Sequence, residues 1–299
     1  MSDLCLITTC MGRLQHLRES LSAAASQPRT SCVVVDYSCP ERCGEWVEQH
    51  YPKVRVVRVP GESYFSVARA RNAGAAVADA SWLGFFDADV ILTPSFAETV
   101  LGLVKPGCFY RPSRPSANDL WGTMVCPSTA FKRIGGYDEA IQGWATEDTE
   151  LYERFRMLGL TEETFPAQLL SAIPHSDELR TQFHKNKQIK VGWTTNILYT
   201  QAKLDLVKMN ERPLSLDKRQ KLYALVTDLV QRALAGDESA RELHVAFRRR
   251  ELPTGGIVRA WLSYTLDPAK PGAAEPAVKR REESGGRSVP AARRSTGQA

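Results

Sequence analysis

The first hundred residues alternate short apolar runs with segments of helical periodicity, and this alternation constrains the fold more than any other feature. Strands are predicted at residues 4–8, 32–36, 54–59 and 82–92. Helices are predicted between them at residues 14–26, 39–51 and 66–77. A βαβαβαβ order favours a mostly parallel sheet with helices on both faces and right-handed crossovers. The sequence therefore predicts an α/β protein.

The fourth apolar run ends in two carboxylates one residue apart, Asp87 and Asp89. Open α/β sheets bind ligands at the carboxyl ends of their strands, so both acids are expected at a crevice. Carboxylates in this position can hold a hard divalent cation together with the phosphates of a nucleotide. The alternative is a surface turn, in which aspartate is also common. The glycine-rich dinucleotide and P-loop fingerprints are absent, so a metal and side chains would have to hold any nucleotide.

A second acidic segment lies further along the chain, where Glu147 and Asp148 open a helix predicted from residue 147 to about 158. Thr146 resembles its N-cap, and acids in the first turn suit the positive end of the helix dipole. Dipole complementation explains the acids but not the Gly143-Trp144 pair that precedes them. A strand predicted at 167–173 leads directly to His175, which is either a metal ligand or a structural histidine.

The remaining chain divides into two segments of different composition. Helices are predicted at residues 177–210, 216–235 and 241–250. Residues 267–299 are rich in Pro, Ala, Gly, Ser and Arg and poor in large apolar residues, which is typical of disorder. We therefore predict an α/β domain at 1–200, a helical C-terminal extension at 201–266 and a disordered basic tail at 267–299.

The net charge of +5 resides mostly in the predicted tail, which carries seven Lys/Arg and four Asp/Glu. The rest of the chain is nearly neutral, so there is little electrostatic case for nucleic-acid binding. The tail could contact an acidic partner or a membrane surface peripherally, but a solubilising role is favoured.

Cysteine usage and the N-terminus predict a cytoplasmic protein. No apolar stretch approaches the ~18 residues of a membrane span, and the N-terminus lacks the pattern of a secretory signal. The seven cysteines are an odd number, and several lie in apolar runs, as expected of reduced, buried thiols. Cys39 and Cys43 are four residues apart, but no second Cys or His pair stands at zinc-site spacing, so a zinc site is disfavoured.

The order of these motifs resembles the nucleotide-sugar-dependent glycosyltransferases of the GT-A (nucleotide-diphospho-sugar transferase) fold. Residues 4–104 resemble family 2 glycosyltransferases in Thr8-Thr9, Arg13, Asp36, the segment 68–74 and Phe86-Asp87-Ala88-Asp89. Residues 134–158 resemble the C-terminal motif of β-1,4-galactosyltransferases and polypeptide N-acetylgalactosaminyltransferases in Gly135, Gly136, Tyr137, Asp138, Gly143, Trp144, Glu147, Asp148 and Glu150. Those families usually have Gly-Trp-Gly before the acids, whereas this chain has Gly143-Trp144-Ala145.

The resemblance implies transfer of a sugar from a nucleotide sugar, expected to be a UDP-sugar, to a hydroxyl acceptor with inversion at the anomeric carbon. The acceptor would be a glycan, a lipid-linked molecule or a small molecule. The implied cofactor is Mn²⁺ or Mg²⁺, with the ligands Asp87, Asp89 and His175, and with His184 as a second candidate histidine. An imidazole ligand favours Mn²⁺.

The same resemblance implies roles for the other motif residues. Asp148 would be the catalytic base, while Glu147 and Trp144 would bind the acceptor. Donor contacts are expected from Thr8, Arg13, Asp36, Arg71 and Asp87.

Other enzyme classes fit the motifs less well. An Asp-x-Asp pair after a strand also resembles haloacid-dehalogenase-type phosphatases, but those carry the pair on the first strand and this chain carries it on the fourth. A sugar-1-phosphate nucleotidyltransferase would need a glycine-rich loop after strand one. A catalytically inactive domain that binds glycans or acts as a scaffold remains a third interpretation, against which the intact acids argue.

Overall fold

The computed structural model describes residues 2–114, 120–143, 146–185 and 187–267. Its strands are β1 Ser2–Cys10, β2 Thr30–Tyr37, β3 Arg55–Val59, β4 Ala80–Phe85, β5 Val90–Leu92, β6 Cys108–Pro112, β7 Met124–Pro127, β8 Thr161–Phe165, β9 Leu170–Ala172, β10 Glu242–Glu251 and β11 Ile257–Thr265. Its helices are α1 Leu14–Ala25, α2 Cys43–His50, α3 Val67–Ala76, α4 Phe96–Leu103, α5 Ser128–Arg133, α6 Glu147–Met157, α7 Asp177–Thr181, α8 Ile189–Asn210 and α9 Leu216–Leu234.

The main sheet has seven strands in the order β3-β2-β1-β4-β7-β6-β8. Strands β3, β2, β1 and β4 pair in parallel, β7 runs antiparallel to β4 and β6, and β6 pairs in parallel with β8. The predicted α/β class and the mostly parallel sheet are thus confirmed. The polar strand β8 was not predicted, because an edge strand that buries little shows no clear apolar pattern.

Helices cover both faces of this sheet, as its sequence pattern predicts. In β1, Leu4 and Leu6 face a core that also contains residues of α1, α2 and α4. Cys5 and Ile7 face the opposite core, which contains residues of α3, α5 and α6. Because successive strand side chains point to opposite faces, a strand covered on both sides must be apolar throughout. Each fully buried leucine contributes about 1.5–3 kcal/mol of hydrophobic stabilisation.

The fourth predicted strand is interrupted at its acids. β4 ends at Phe85, the acids occupy a turn, and β5 then pairs antiparallel with β9 in a separate two-stranded sheet. The backbone N–H of Ile173 donates to the carbonyl oxygen of Asp89 at 2.7 Å. This pairing brings the segment after β9, which carries His175, to the acidic turn.

The C-terminal part begins with the predicted helices but ends in a hairpin. α8 and α9 enclose a third apolar core together with β10 and β11. The helix predicted at residues 241–250 is wrong, because this segment forms β10 and pairs antiparallel with β11. Leu243 and Val245 pair with Tyr264 and Leu262 and pack against the third core, which is the two-residue period of a strand.

All these elements belong to one compact unit of residues 1–266. Apart from Asp267, the tail predicted at 267–299 lies outside the described residues. No helix in the described part of the chain combines the length and the apolarity that a membrane crossing requires.

A buried ionic network ties helix α6 to the C-terminal helices. The ammonium group of Lys203 on α8 donates to Asp138 at 2.8 Å and also contacts Glu150 of α6. Arg219 of α9 donates to the other oxygen of Asp138 at 2.5 Å, and Arg154 pairs with Glu150. Burial alone would raise the pKa of Asp138, but Lys203 and Arg219 outweigh it and lower the pKa to about 2.

This network predicts a specific loss of stability in acid. The pKa of Asp138 in the folded protein is about 2, below its value in the unfolded chain. The ionised Asp138 therefore adds on the order of 2 kcal/mol to the free energy of unfolding above about pH 4, and this contribution is lost as the pH falls toward 2. Urea unfolding between pH 6 and pH 2 measures the slope of the free energy of unfolding against pH. Asp138→Asn should flatten it, whereas Asp217→Asn, in an exposed pair on α9, should not. An unchanged slope in Asp138→Asn would contradict the assignment.

Candidate active site

A cavity of about 660 Å³ opens at the carboxyl ends of the central strands. Its walls come from the loop after β1, the start of α3, the turn after β4, the start of α6 and the segment 175–184. The cavity forms where β1 and β4 end, and Asp87 and Asp89 line it, as expected for acids at the carboxyl ends of strands. The volume suits a ligand the size of a nucleotide.

The acidic turn and His175 lie against each other in this cavity. The Oδ2 atom of Asp89 is 2.6 Å from the Nε2 atom of His175, and both side chains are largely buried. The Nδ1 atom of His175 is 3.1 Å from the carbonyl oxygen of Ser176. Because a carbonyl can only accept, Nδ1 carries a proton, and Nε2 is the ring nitrogen that faces the carboxylate. Two acceptors at this distance need a proton or a cation between them.

This donor set fits a divalent cation of the Mn²⁺ type. Carboxylate oxygen and imidazole nitrogen are ligands such an ion accepts. A ligating histidine usually donates its other N–H to a carbonyl group, as His175 does to Ser176. Burial and the neighbouring Asp87 raise the pKa of Asp89, while His175 and Arg13 oppose that rise. A bound cation would stabilise the charged form of Asp89 in the same way as these two basic groups.

Arg71 joins the two acidic segments. Its guanidinium group, only 2% exposed, donates to Asp87 at 2.8 Å and to Asp148 at 2.5 Å. Burial alone would lower the pKa of Arg71, but Asp148 and Asp87 are among the groups that raise it well above its usual value. The guanidinium group of Arg71 therefore holds one carboxylate of each acidic segment within a single cavity. The donor contact that the resemblance implied for Arg71 stays a prediction, since both of its ion pairs in this structure are with carboxylates of the cavity.

The second acidic pair stands at the start of α6. Thr146 precedes it with φ of 76° and makes no capping hydrogen bond, so the predicted N-cap interaction does not form. Burial and the adjacent Asp148 raise the pKa of Glu147 to about 8. Burial also raises the pKa of Asp148, against the opposing charge of Arg71. Both acids are thus held where the charged form is costly without a ligand.

Tyr137 supports Asp148 from the glycine turn. Its hydroxyl donates to Oδ1 of Asp148 at 3.1 Å. The backbone of Tyr137 is fixed by Asn72, which accepts from its N–H at 2.8 Å and donates to its carbonyl at 3.0 Å. Gly136 has φ of +70°, and a Cβ there would lie 2.4 Å from Oδ1 of Asn72, so this turn requires glycine.

Buried polar atoms without hydrogen-bond partners are concentrated in this cavity. Among the described residues that line it, five side chains have such an atom: Arg13, Arg111, Thr146, Glu147 and His184. Burial and Arg13 lower the pKa of His184 to about 4, so its imidazole is neutral at pH 7. Native proteins rarely leave buried polar groups unpaired, and such a cluster indicates positions that a polar ligand completes.

The structure brings most of the predicted site residues together. Those that line the cavity are Arg13, Arg71, Asp87, Asp89, Glu147, Asp148, His175 and the second candidate histidine, His184. Thr8 and Asp36 do not line it. Thr8 is fully buried and Thr9 faces the cavity instead, because adjacent strand residues point to opposite sides. Trp144 lies outside the described residues.

Asp36 has a structural role in the loop after β2. Its Oδ1 accepts from the backbone N–H of Cys39 at 2.9 Å and its Oδ2 from that of Gly44 at 3.0 Å. Both oxygens therefore hold the loop and the start of α2. The sequence placed Tyr137 in the C-terminal motif but did not reveal its hydrogen bond to Asp148. It also did not reveal Phe183, which lines the cavity, since an apolar ring does not mark a site by its spacing.

The sheet order, the acids at the strand ends and the cavity match an α/β protein of the GT-A fold. A model of "Glycosyl transferase family 2" matches residues 5–158, just over half of the chain, and the chain belongs to this family. Family membership supports a sugar-transfer activity. No curated protein matches the chain in sequence.

Solved structures of low sequence identity share the fold. The mannosyltransferase PcManGT from Pyrobaculum calidifontis, in complex with GDP-Man and Mn²⁺, is 16% identical with a TM-score of 0.50, and the match covers 79% of this chain and 76% of that one. Residues 1–349 of S. aureus TarS, in complex with UDP-GlcNAc, are 12% identical with a TM-score of 0.54, and the match covers 79% and 74% of the two chains. At these identities the similarity establishes the fold alone.

Proposed function

We propose that the protein transfers a sugar from a nucleoside-diphosphate sugar to a hydroxyl acceptor, with a divalent cation and with inversion. One observation carries this proposal: Arg71 bridges Asp87 of one acidic segment and Asp148 of the other in a single cavity. A donor held beside Asp87 and Asp89 would thus lie next to a carboxylate that can accept a proton. The complexes of PcManGT with GDP-Man and of TarS with UDP-GlcNAc support a nucleotide-sugar donor.

Asp89 and His175 would hold the cation, with Asp87 beside it. When bound, Mn²⁺ or Mg²⁺ would neutralise the negative charge that gathers on the leaving diphosphate. The Mn²⁺ in the PcManGT complex supports this choice. Arg13 lines the same wall, and its buried guanidinium nitrogen without a partner is available to a phosphate oxygen.

Asp148 would accept the proton of the acceptor hydroxyl. Its Oδ1 is occupied by Arg71 and Tyr137, which orients the carboxylate and leaves Oδ2 for the acceptor. A Cβ built on Gly122 would lie 3.1 Å from Oδ2 of Asp87 and 3.3 Å from Oδ2 of Asp148, so both carboxylates face this glycine. Attack by a deprotonated hydroxyl on the face opposite the leaving group inverts the anomeric carbon. Glu147, whose Oε2 has no partner, would bind acceptor hydroxyls.

The function is tested by assaying nucleotide release and sugar transfer from UDP- and GDP-sugars with Mn²⁺, Mg²⁺ or a chelator. Metal-dependent turnover of one donor is the expected result, and thermal stabilisation by donor plus metal identifies that donor. Cleavage of aryl phosphates instead would indicate a phosphatase. Donor binding without any turnover would indicate a binding domain.

Asp89→Ala should abolish metal-dependent donor binding while the fold is retained. The substitution removes one ligand and leaves His175 without its carboxylate partner. Calorimetric titration with the donor, in Mn²⁺ and in chelator, measures the effect. The control is Asp79→Ala, which removes an exposed aspartate from outside the cavity. Metal-dependent donor binding that survives in Asp89→Ala would count against this site.

A further inference from the structure

Three of the seven cysteines converge beneath the loop that follows β1. Cys10 is the last residue of β1, Cys39 lies in the loop after β2, and Cys43 is the first residue of α2. All three are buried, and their sulfur atoms lie within 4.8 Å of one another. The Sγ atoms of Cys10 and Cys39 are 3.9 Å apart. No other group of three potential metal-ligating side chains lies this close together within the described residues.

The 3.9 Å between the sulfur atoms of Cys10 and Cys39 is the spacing of two sulfur ligands around a shared cation, and the sulfur of Cys43 lies within 4.8 Å of both. With metal–sulfur bonds of about 2.3 Å, two sulfur ligands of a tetrahedral or trigonal ion stand about 3.8–4.0 Å apart. Thiolates select soft cations such as Zn²⁺ and Cu⁺ over the hard cations that carboxylates prefer. The cluster therefore differs in ligand chemistry from the Asp89–His175 pair of the cavity.

The surrounding backbone is arranged to hold the sulfur atoms in place. The N–H of Gly12 donates to the Sγ of Cys39 at 3.3 Å. The carboxylate of Asp36 accepts from the N–H groups of Cys39 and Gly44, which fixes the loop that carries two of the three cysteines. Hydrogen bonds of this kind orient the ligands of metal sites. Sequence spacing did not reveal the cluster, because Cys10 comes from a different strand, 29 residues before Cys39.

We propose that Cys10, Cys39 and Cys43 bind one thiophilic cation, Zn²⁺ or Cu⁺. Each thiol that becomes a ligand releases its proton to solvent as the sulfur–metal bond forms, and no electron is transferred. The cation would fix the loop that carries Met11 and Arg13, both of which line the cavity. The proposal does not depend on the function proposed above.

The test is metal binding by the reduced full-length protein. Metal-free protein is titrated with Zn²⁺ in the presence of a competing chromophoric chelator, and with Cu⁺ under anaerobic conditions in a second series. Cd²⁺ serves as a spectroscopic probe, since its ultraviolet thiolate-to-metal absorption reports sulfur ligands and is silent for the carboxylate–histidine pair. We expect one ion per chain with that absorption and a higher melting temperature. The series with the tighter binding identifies the cation.

Substitutions assign the ligands. Cys39→Ala should weaken binding by more than ~100-fold, because loss of a ligand should exceed the effect of losing an outer-shell partner. Cys108→Ala, on β6 and three positions from β1 in the sheet, should leave binding unchanged. If Cys39→Ala fails to fold, the Cd²⁺ absorption of the unsubstituted protein still decides the proposal. Absence of that absorption, a Cys10–Cys39 disulfide without metal uptake, or equal binding by Cys39→Ala would overturn it.

Discussion

Asp148→Asn should lower the rate of sugar transfer by about 10²–10⁴-fold, the usual worth of a positioned general base. The amide keeps the shape of the side chain and an oxygen that can accept from Arg71 and Tyr137, but it cannot take a proton. Arg71 also keeps its pair with Asp87, so the donor side of the cavity should stay in place. Donor affinity should therefore survive, and steady-state kinetics together with donor titration measure both quantities.

Glu147→Gln is the matched control for that substitution, since it alters the adjacent acid in the same way. It should chiefly raise the apparent KM for the acceptor, as loss of ground-state contacts does. The anomeric proton in the NMR spectrum of the product reports the stereochemistry, and a β-linked product from an α-linked donor is expected. Near-normal turnover in Asp148→Asn, or an α-linked product, would mean that Asp148 is not the base of an inverting reaction.

Lys203→Met should destabilise the protein by about 3–5 kcal/mol, because it leaves two buried carboxylates without their shared cation. Lys203 is 2% exposed and contacts both Asp138 and Glu150. Methionine keeps the length and much of the volume of the side chain, so the charge is the main change. Urea unfolding at pH 7 measures the free energy of unfolding.

The control for this prediction is Lys208→Met on the same helix, where the lysine is exposed. Lys208→Met should lower the free energy of unfolding by less than about 1 kcal/mol. If Lys203→Met does not fold at all, the double substitution with Glu150→Gln should recover part of the stability, because it removes one of the two buried carboxylates that shared Lys203. Equal stability of the two lysine variants would show that the buried network contributes little.

The first half of the fold could be predicted because its strands and helices follow from short-range patterns of apolar residues. The apolar runs that became β1, β2 and β3 are long enough to be read as strands, and the helices between them have a clear apolar face. The two acidic segments were found from residue type and position at the ends of elements. Tertiary contacts could not be predicted in this way. The bridge that Arg71 makes between the two acidic segments depends on packing between segments that are distant in the chain. The bonds from both oxygens of Asp36 to its own loop depend on the path of that loop, which residue type does not fix.

The C-terminal hairpin shows a different limit. Residues 241–250 contain several charged side chains that suit an exposed helix as well as an edge strand. The two-residue period covers only Leu243, Val245 and Phe247, too short a run to decide between the two. The pairing with β11 and the third apolar core decided in favour of a strand.

The pairing of β5 with β9 has a consequence for the order in which the site is assembled. His175 lies far along the chain from Asp89, beyond the end of the family-matched region at residue 158. The pairing of β5 with β9, together with the hydrogen bond from Ile173 to the backbone of Asp89, brings the two side chains together. A contact of such long sequence separation forms late, after a large loop has closed. A growing chain that has emerged only as far as α4 already contains both acids of the turn but lacks His175. If Asp89 and His175 hold the proposed cation, its affinity should therefore rise abruptly once β9 docks.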